Sequence, residues 1–238
     1  MKGVKELVDD FYSTKYYDYN HPTELCNLMD KYGSDKGPNF KGAGNYTKMY
    51  DILFREIKDD IKYFFEVGLG TNNTDVPSNM GSDGVPGSSL RGFRDYFQNA
   101  QIFGADVDKR ILFEEDRIKT FYVDQKNPDT IRELWSNFEG VKFDIIIDDG
   151  IHDTIQNPSG NRIFFDHSIH MLKSGGYYII EDVAFDYDGD RVHEMVYRIV
   201  NDIREGKYGP VSYVEVLKTP APKGNGEYRN TQIILIQK

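Results

Sequence analysis

The residues best suited to chemistry are acids and a histidine that follow two apolar segments. Asp148 and Asp149 end an apolar run that begins Phe-Asp-Ile-Ile-Ile, and His152 comes three residues later. Glu181 and Asp182 follow the second apolar segment. Neighbouring carboxylates raise one another's pKa unless a cation compensates them, and oxygen donors favour Mg²⁺, Mn²⁺ or Ca²⁺ over zinc. We therefore expect a divalent cation here, which leaves His152 free to act as a base.

A glycine-rich turn follows the first predicted strand. The strand ends in Glu66-Val67-Gly68-Leu69-Gly70, and glycines let the backbone approach a ligand closely. A dinucleotide-binding turn would continue to a third glycine, but that position is Asn73. Glu66 instead suits a ligand with a cationic end, such as the amino group and sulfonium of S-adenosylmethionine. The alternative is a tight turn without a ligand, because so short a pattern is weak evidence.

Further acids end the later strands. Asp106 ends the second strand, where an acid can accept hydrogen bonds from both ribose hydroxyls. Asp124 and Gln125 end the third, within reach of an adenine amino group, and Asp148 ends the fourth. The alternative for Asp124 is a helix N-cap, a common position for Asp after a strand. Packing alone does not require an acid at every strand end, so the full set favours a nucleoside-containing ligand.

Metal and histidine together suit the removal of a proton from a hydroxyl group. A hydroxyl is a very weak acid, and imidazole, with a pKa of about 6.5, is a weak base. A metal lowers the pKa of a bound oxygen, so His152 can take the proton while the oxygen attacks a methyl group. Alignment of the attacking oxygen, the methyl carbon and the sulfur supplies the remaining rate enhancement. The alternative, a loop histidine without a role, is less favoured beside Asp-Asp-Gly.

The elements that must position these residues alternate between strands and helices. Strands are predicted at residues 62–67, 101–106, 119–123, 143–148 and 176–181, with helices between them at 88–98, 109–116, 128–138 and 161–172. Two final strands, 212–217 and 232–237, are joined without a helix signal, which favours antiparallel pairing. This order predicts an α/β, Rossmann-like, doubly wound sheet of the class I methyltransferase type, mostly parallel with a terminal antiparallel strand.

The chain divides into a helical segment and a larger α/β part. We expect residues 1–60 to form an N-terminal cap and residues 61–238 the methyltransferase domain, as one structural domain overall. Tyr46 and Tyr50, one turn apart in the helix predicted at 45–58, could face either the ligand or the core. Of the two, Tyr46 is expected to face the ligand. The Gly- and Pro-rich stretch Thr71–Gly87 follows the first strand, where a binding element would lie.

The amino-acid composition argues against several classes of binding site and partner. The 238 residues carry 29 Lys and Arg against 39 Asp and Glu, and this acidic balance argues against binding nucleic acid, which requires a basic face. The one cysteine, Cys26, excludes an internal disulfide and a multi-cysteine zinc site. No stretch approaches the roughly 20 apolar residues of a membrane helix, and residues 1–10 lack the apolar core of a signal peptide. We expect a cytoplasmic protein without a nucleic-acid or membrane partner.

The motifs resemble those of the metal-dependent sugar O-methyltransferases of class I, which methylate macrolide sugars such as those of mycinamicin VI and macrocin. The supporting stretches are Tyr32–Gly37, Glu66–Gly70, Pro86–Arg91, Gly104–Asp108, Val123–Gln125, Asp148–His152 and Glu181-Asp182. By motif position, the resemblance implies Asp149, Glu181 and Asp182 as metal ligands and His152 as general base.

The resemblance also implies the ligands and partners. It implies S-adenosylmethionine, a divalent cation such as Mg²⁺, a sugar hydroxyl as acceptor, and a homo-oligomer, dimer or tetramer, whose N-terminal segment helps to close the site. The residues expected to contact the cofactor are Tyr46, Glu66, Gly68, Gly70, Ser89, Asp106, Asp124, Gln125 and Asp148.

Several acceptors and one other class of function stay open. A catechol or another small diol offers vicinal hydroxyls to a metal much as a sugar does. A non-catalytic, metal-binding α/β domain would share the acidic edge, but it would not need an intact Glu66–Gly70 turn or His152. We expect this protein to lack the large N-terminal auxiliary domain that the mycinamicin VI type carries. A nucleotide-linked sugar, a polysaccharide precursor or a glycosylated natural product would therefore all suit.

Overall fold

The computed structural model describes residues 2–13, 22–38, 46–151, 159–183, 192, 194–222 and 228–238. The helices are α1 Val4–Ser13, α2 Glu24–Tyr32, α3 Thr47–Phe54, α4 Ser88–Tyr96, α5 Pro128–Ser136, α6 Gly160–Ser168 and α7 Glu194–Arg204. The strands are β1 Tyr63–Val67, β2 Gln101–Asp106, β3 Glu114–Glu115, β4 Ile118–Tyr122, β5 Phe143–Asp148, β6 Leu172–Ile180, β7 Tyr213–Pro222 and β8 Tyr228–Gln237.

These strands form one sheet in the order β3-β4-β2-β1-β5-β6-β8-β7. The pairs β4–β2, β2–β1, β1–β5 and β5–β6 are parallel. β8 is antiparallel to both β6 and β7. The predicted doubly wound sheet with a terminal antiparallel strand is therefore confirmed. From β1 the strand order proceeds to β2 and β4 on one side of the sheet, and the chain then crosses to β5 on the other side of β1. In open α/β sheets, ligands bind beside the carboxyl ends of the strands at such a switch point.

Helices cover both faces of the sheet because successive strand residues point to opposite sides. Phe64 and Ile145 face a core that includes residues of α1, α2, α3 and α4. Phe65 and Ile146 face a second core, formed with α5, α6 and α7. Each helix contributes buried side chains to its core, and none in the described part of the chain is long and apolar enough to cross a membrane.

The helices before β1 share a core with the sheet. Val8 and Phe11 of α1 and Leu25 and Met29 of α2 belong to the same cluster as the strand residues on that face. α2 ends at Gly33, whose φ of +73° is the left-handed conformation that commonly terminates helices. The chain is thereby turned toward the edge of the sheet. The division of the molecule at residue 60 stays a prediction.

The helix predicted at 109–116 is wrong. A 3₁₀ turn at Lys109–Ile111 is followed by β3, which pairs antiparallel with β4. Arg117 closes the hairpin turn with φ +57°, and its guanidinium donates hydrogen bonds to the carbonyls of Phe97, Ala100 and Arg94. These contacts with distant parts of the chain outweigh the local helix preference of so short a segment.

Candidate active site

A cavity of about 490 Å³ opens at the carboxyl edge of the sheet. Its volume lies within the range of about 300–1,000 Å³ that is typical of small-molecule sites. The turns after β1, β2, β4 and β5 line it with Gly68, Gly70, Asp106, Val107, Asp124, Gln125, Asp149 and Ile151. The long stretch after β1 contributes Thr71 and Val76–Met80, and Asp35 and Asp182 also line the cavity. The cavity therefore touches both the glycine turn and the acidic residues.

The two glycines of the turn after β1 are closely packed. Gly68 adopts φ +91°, and its N–H donates to the carbonyl of Ala105 at 2.9 Å. A Cβ there would overlap the backbone carbonyl oxygen of Asp149. Gly70 adopts φ +71°, and a Cβ there would lie 2.8 Å from Sδ of Met80. Both positions have the positive φ that favours glycine, and at Gly68 the backbone of Asp149 also excludes a side chain. Both glycines line the cavity.

Asp106 is held in place by the backbone of two turns. Its two carboxylate oxygens accept hydrogen bonds from the N–H of Leu69 at 2.7 Å and of Asp108 at 2.8 Å. Burial raises the pKa of Asp106, while these backbone donors oppose the rise. A carboxylate has about four acceptor positions, so Asp106 can still accept hydrogen bonds from hydroxyl groups of a ligand in the cavity.

The acids after β4 and β5 have different surroundings. Asp124 lines the cavity, and its Oδ1 accepts a hydrogen bond from the N–H of Lys126 at 2.9 Å. The N-cap of α5 is Asn127, not Asp124. Asp148 is fully buried and does not line the cavity, because it accepts hydrogen bonds from Nε2 of Gln125 at 2.8 Å and Nδ2 of Asn161 at 3.1 Å. The structure thus places Asp148 behind the wall.

Gln125 also has its amide oxygen engaged. Oε1 of Gln125 accepts a hydrogen bond from the N–H of Ile151 at 2.7 Å. Together with its bond to Asp148, this contact joins the turn after β4 to the turn after β5. Gln125 lines the cavity but serves mainly to fix these two turns relative to each other.

The long stretch after β1 is anchored by Asp108. The carboxylate of Asp108 accepts hydrogen bonds from Oγ1 of Thr71 at 2.6 Å and Nδ2 of Asn73 at 2.7 Å. Nε of Arg110 donates to it at 2.7 Å and Nη2 of Arg110 reaches Asp75 at 3.0 Å. The Arg110 guanidinium holds the pKa of Asp108 well below its usual range. These bonds fix the first residues of the segment that continues into the cavity wall.

A second group of acids is joined by a lysine. Nζ of Lys36 donates hydrogen bonds to Oδ2 of Asp149 and, at 2.6 Å, to Oε2 of Glu181. The same atom lies 3.5 Å from Oε1 of Glu66. The Lys36 side chain is only 3% exposed. We call Asp149, Glu181 and Asp182 the carboxylate centre; Lys36 bridges two of its three members.

Two tyrosines of α3 and its N-cap also contact the carboxylate centre. The hydroxyl of Tyr46 donates to Oδ1 of Asp182, and that of Tyr50 donates to Oε1 of Glu181 at 2.5 Å. Asp182 adopts φ +51°, a conformation uncommon for residues other than glycine. Such strain persists only where the surroundings enforce it, and it concentrates at functional sites.

Burial sets the direction of the pKa shift for the acids, whereas the acids set it for Lys36. Burial raises the pKa of Glu66 to about 7, although Lys36 opposes the rise, and Oε2 of Glu66 accepts a hydrogen bond from Ser89 at 2.6 Å. It also raises the pKa of Asp35 to about 6, and that of Glu181 well above its usual value. Burial alone would lower the pKa of Lys36, but the nearby carboxylates outweigh it and raise that pKa well above normal.

The donor chemistry of the carboxylate centre fits a hard divalent cation. All of its donors are oxygens, and the acids that interact with Lys36 outnumber the one ammonium that compensates them. No three His, Cys, Asp or Glu side chains within the described ranges converge closely enough to hold a metal ion. Lys36 bridges Asp149 and Glu181 instead. The residues therefore fit Mg²⁺ in donor type and charge, and the Lys36 ammonium lies between two of them.

The structure separates the residues expected at the site into two groups. Gly68, Gly70, Asp106, Asp124, Gln125, Asp149 and Asp182 line the cavity. Tyr46, Glu66, Ser89, Asp148 and Glu181 are buried and do not line it. His152, expected as the base, lies outside the described residues.

Sequence reasoning gave no role to Lys36, Asp35, Tyr50 or Asp108 at this site. A signal was present for Lys36 and Asp35, because both lie in the stretch Tyr32–Gly37 that contributed to the family resemblance. The position of Tyr50, one helical turn after Tyr46, allowed either a ligand or a core contact. Only the folded chain shows it against Glu181.

Known proteins with similar sequences are O-methyltransferases, although no family model matches the chain. The chain is 29% identical over 163 residues to 8-demethyl-8-α-L-rhamnosyl tetracenomycin-C 2′-O-methyltransferase of Streptomyces olivaceus, across 68% of this chain and 38% of the relative. It is 31% identical over 138 residues to demethylmacrocin O-methyltransferase of Streptomyces fradiae, across 58% of this chain and 31% of the relative. The chain spans less than two-fifths of the length of these relatives. They confirm the resemblance predicted from the motifs.

A solved structure shares the fold. The methyltransferase of the mycinamycin biosynthetic pathway, in complex with Mg and SAH, superposes with a TM-score of 0.65 at 21% identity. The match covers 92% of this chain and 56% of that one. At this level of identity the likeness shows the fold, and it confirms the class I methyltransferase architecture predicted above.

Proposed function

We propose that this chain is an S-adenosylmethionine-dependent O-methyltransferase that acts on a hydroxyl group of a sugar-containing small molecule. The observation that carries the proposal is one cavity lined by the bare glycine turn, by Asp106 and by the acids Asp149 and Asp182. The names of the relatives support a sugar as the acceptor, because they specify rhamnosyl and macrocin substrates.

The cofactor half of the cavity is assigned by the chemistry of its walls. S-adenosylmethionine would supply an electrophilic methyl group. The backbone at Gly68 and Gly70 allows close approach, Asp106 accepts hydrogen bonds from the ribose hydroxyls, and Asp124 accepts one from the adenine amino group. Glu66 is buried next to the glycine turn and accepts a hydrogen bond from Ser89 at 2.6 Å. It is the acid assigned to the cationic end of the cofactor, whose positive charge would favour the ionised carboxylate.

The acceptor half contains the groups that would handle the proton. Asp149, Glu181 and Asp182 would hold a divalent cation, which lowers the pKa of a bound hydroxyl. An imidazole nitrogen of His152 takes the proton of the acceptor hydroxyl as the methyl group is transferred. Tyr46 and Tyr50 orient Asp182 and Glu181 through their hydroxyl groups.

Replacement of His152 with alanine tests the base. We expect turnover to fall by roughly 10²–10⁴-fold, the range for loss of a general base, while the Kd for S-adenosylmethionine stays near the wild-type value. Steady-state kinetics and calorimetry on the same preparation measure both. His170→Ala, at an exposed histidine of the 3₁₀ turn after α6, is the control. A large loss of cofactor affinity would instead make His152 a structural residue.

Replacement of Asp108 with alanine tests the anchoring of the segment after β1. The variant loses the bonds to Thr71, Asn73 and Arg110, so this part of the cavity wall is no longer fixed. We expect the Kd for S-adenosylmethionine to rise roughly tenfold, about the value of one charge-assisted hydrogen bond. Asp116→Ala, at a side chain 92% exposed, is the control. Unchanged affinity would show that the segment does not contribute to cofactor binding.

The proposed function is tested first by calorimetric titration with S-adenosylmethionine, with and without Mg²⁺. We expect saturable one-to-one binding, followed by methylation of at least one acceptor in a screen of nucleotide sugars and glycosylated metabolites. Loss of turnover with EDTA, restored by Mg²⁺, is the expected sign of metal assistance. Absence of cofactor binding under both conditions would contradict the methyltransferase assignment.

The assembly of the protein is also part of the proposal. We propose a homo-oligomer, either a dimer or a tetramer, in which residues 1–60 help to close the site. Light scattering coupled to size-exclusion chromatography measures the mass against the 27.5 kDa of one chain. A monomer at working concentration would contradict this part alone.

A further inference from the structure

We infer that the ammonium group of Lys36 and the divalent cation use the same carboxylate oxygens, so that Lys36 is a built-in counter-ion that metal must displace. This inference rests on the metal assistance in the proposed function. It assigns a role to a residue outside the predicted ligand set.

The burial of Lys36 is explained only by its acidic partners. Lysine is almost never fully buried unless it is paired, and here the side chain is 3% exposed. Nζ contacts Asp149 and lies 2.6 Å from Glu181 and 3.5 Å from Glu66, whose side chains are 1% and 0% exposed. Lys36 therefore supplies the positive charge that allows these acids to be buried together.

The loop that carries Lys36 is fixed by its own backbone contacts. The carbonyl of Lys36 accepts a hydrogen bond from Oγ1 of Thr47 at 3.2 Å, and its N–H donates to Oγ of Ser34 at 3.3 Å. The fixed backbone directs the side chain to the carboxyl edge of the sheet. Because the four-carbon stem is flexible, the ammonium can still withdraw while the loop stays in place.

The oxygens of Glu181 show why both cations cannot keep their full contacts. Oε2 accepts a hydrogen bond from Lys36 and Oε1 accepts one from Tyr50, so a metal ion bound to Oε2 would share that oxygen with the ammonium group. A Mg²⁺ ion binds its oxygens at about 2.0–2.1 Å and requires near-octahedral geometry. Sharing Oε2 would bring two cations within a few ångströms of each other in a buried site, where repulsion is strong. Lys36 must therefore leave for the metal to bind.

This arrangement gives the metal-free protein a carboxylate centre whose negative charge is partly compensated. With Lys36 in place, Asp149 and Glu181 stay close together before any metal is present. The same contact weakens metal binding, because the incoming cation must break it. Removing the lysine charge should therefore strengthen metal binding and weaken the metal-free fold.

The test is a calorimetric titration of Mg²⁺, or of Mn²⁺ for a larger signal, into Lys36→Met and wild type. We expect the variant to bind metal with a Kd lower by roughly tenfold, the size of effect that groups around metal ligands commonly have. The Tm of the metal-free variant should fall, and saturating metal should restore it. Lys58→Met removes the same charge from a pair with Glu24 and should leave the metal Kd unchanged.

The outcomes separate this inference from the proposed function. Should Lys36→Met not fold, Lys36→Gln, which keeps a donor but loses the charge, is expected to show the same gain in affinity. If metal affinity is unchanged or lower in the variants, or if none of the proteins binds metal, the proposed competition between Lys36 and the divalent cation is contradicted. Titration of S-adenosylmethionine into the wild-type protein reports on the proposed function independently, because that measurement involves no change at Lys36.

Discussion

Gly68→Ala is expected to lower the affinity for S-adenosylmethionine by roughly a hundredfold or more, which corresponds to about 2.8 kcal/mol. The methyl group would overlap the backbone carbonyl oxygen of Asp149, which cannot swing aside as the end of a side chain can. Relief of this contact must separate the turn after β1 from the turn after β5. Both turns line the cavity, so the cofactor surface is lost. Calorimetric titration measures the change.

A matched control separates the overlap from backbone strain. Gly140 also has a left-handed conformation, with φ +75° against +91° at Gly68, but a Cβ there would meet nothing within 4 Å. Gly140→Ala therefore shares the strain of about 1–2 kcal/mol without the overlap. We expect lower stability and unchanged cofactor affinity. Equal cofactor affinities in the two variants would contradict the close-approach role of Gly68.

Asp182→Asn is expected to reduce Mg²⁺-dependent turnover by roughly a hundredfold or more, a typical loss when one preorganised electrostatic group is removed. Asparagine suits this position because it tolerates φ +51° better than other residues. It can also still accept the hydrogen bond from Tyr46. The substitution therefore removes charge with little change of shape. Turnover measured against Mg²⁺ concentration gives both kcat and the apparent metal affinity.

The control and the cofactor titration make the result specific. Asp116→Asn removes the same charge at an exposed position and should leave the metal dependence unchanged. Binding of S-adenosylmethionine by Asp182→Asn should stay within a few fold of wild type. An unchanged Mg²⁺ titration would remove Asp182 from the ligand set, and a lost cofactor site would reassign it to the cofactor half of the cavity.

The sequence by itself determined the layers of the fold and the edge at which ligands bind. Strands such as Phe143–Asp148 are buried along their length and rich in apolar residues because both faces of the sheet are covered, and this signal is local. The parallel order then brings the strand ends to one edge, so Asp106 and Asp149 had to lie at the same side of the sheet. Gly68 and Gly70 could likewise be predicted, since their role depends on backbone conformation.

Only the tertiary structure decided which acids face the cavity and what compensates them. Asp148 and Asp149 are adjacent, yet Asp148 turns behind the wall to Gln125 while Asp149 lines the cavity, because successive residues leave a strand in different directions. Lys36 is 113 residues from Asp149 in the chain. Its position depends on how α2, the following loop and α3 pack on the sheet, and no local pattern specifies a contact over such a separation. The sequence therefore fixes the place of the site, while long-range packing sets its charge balance.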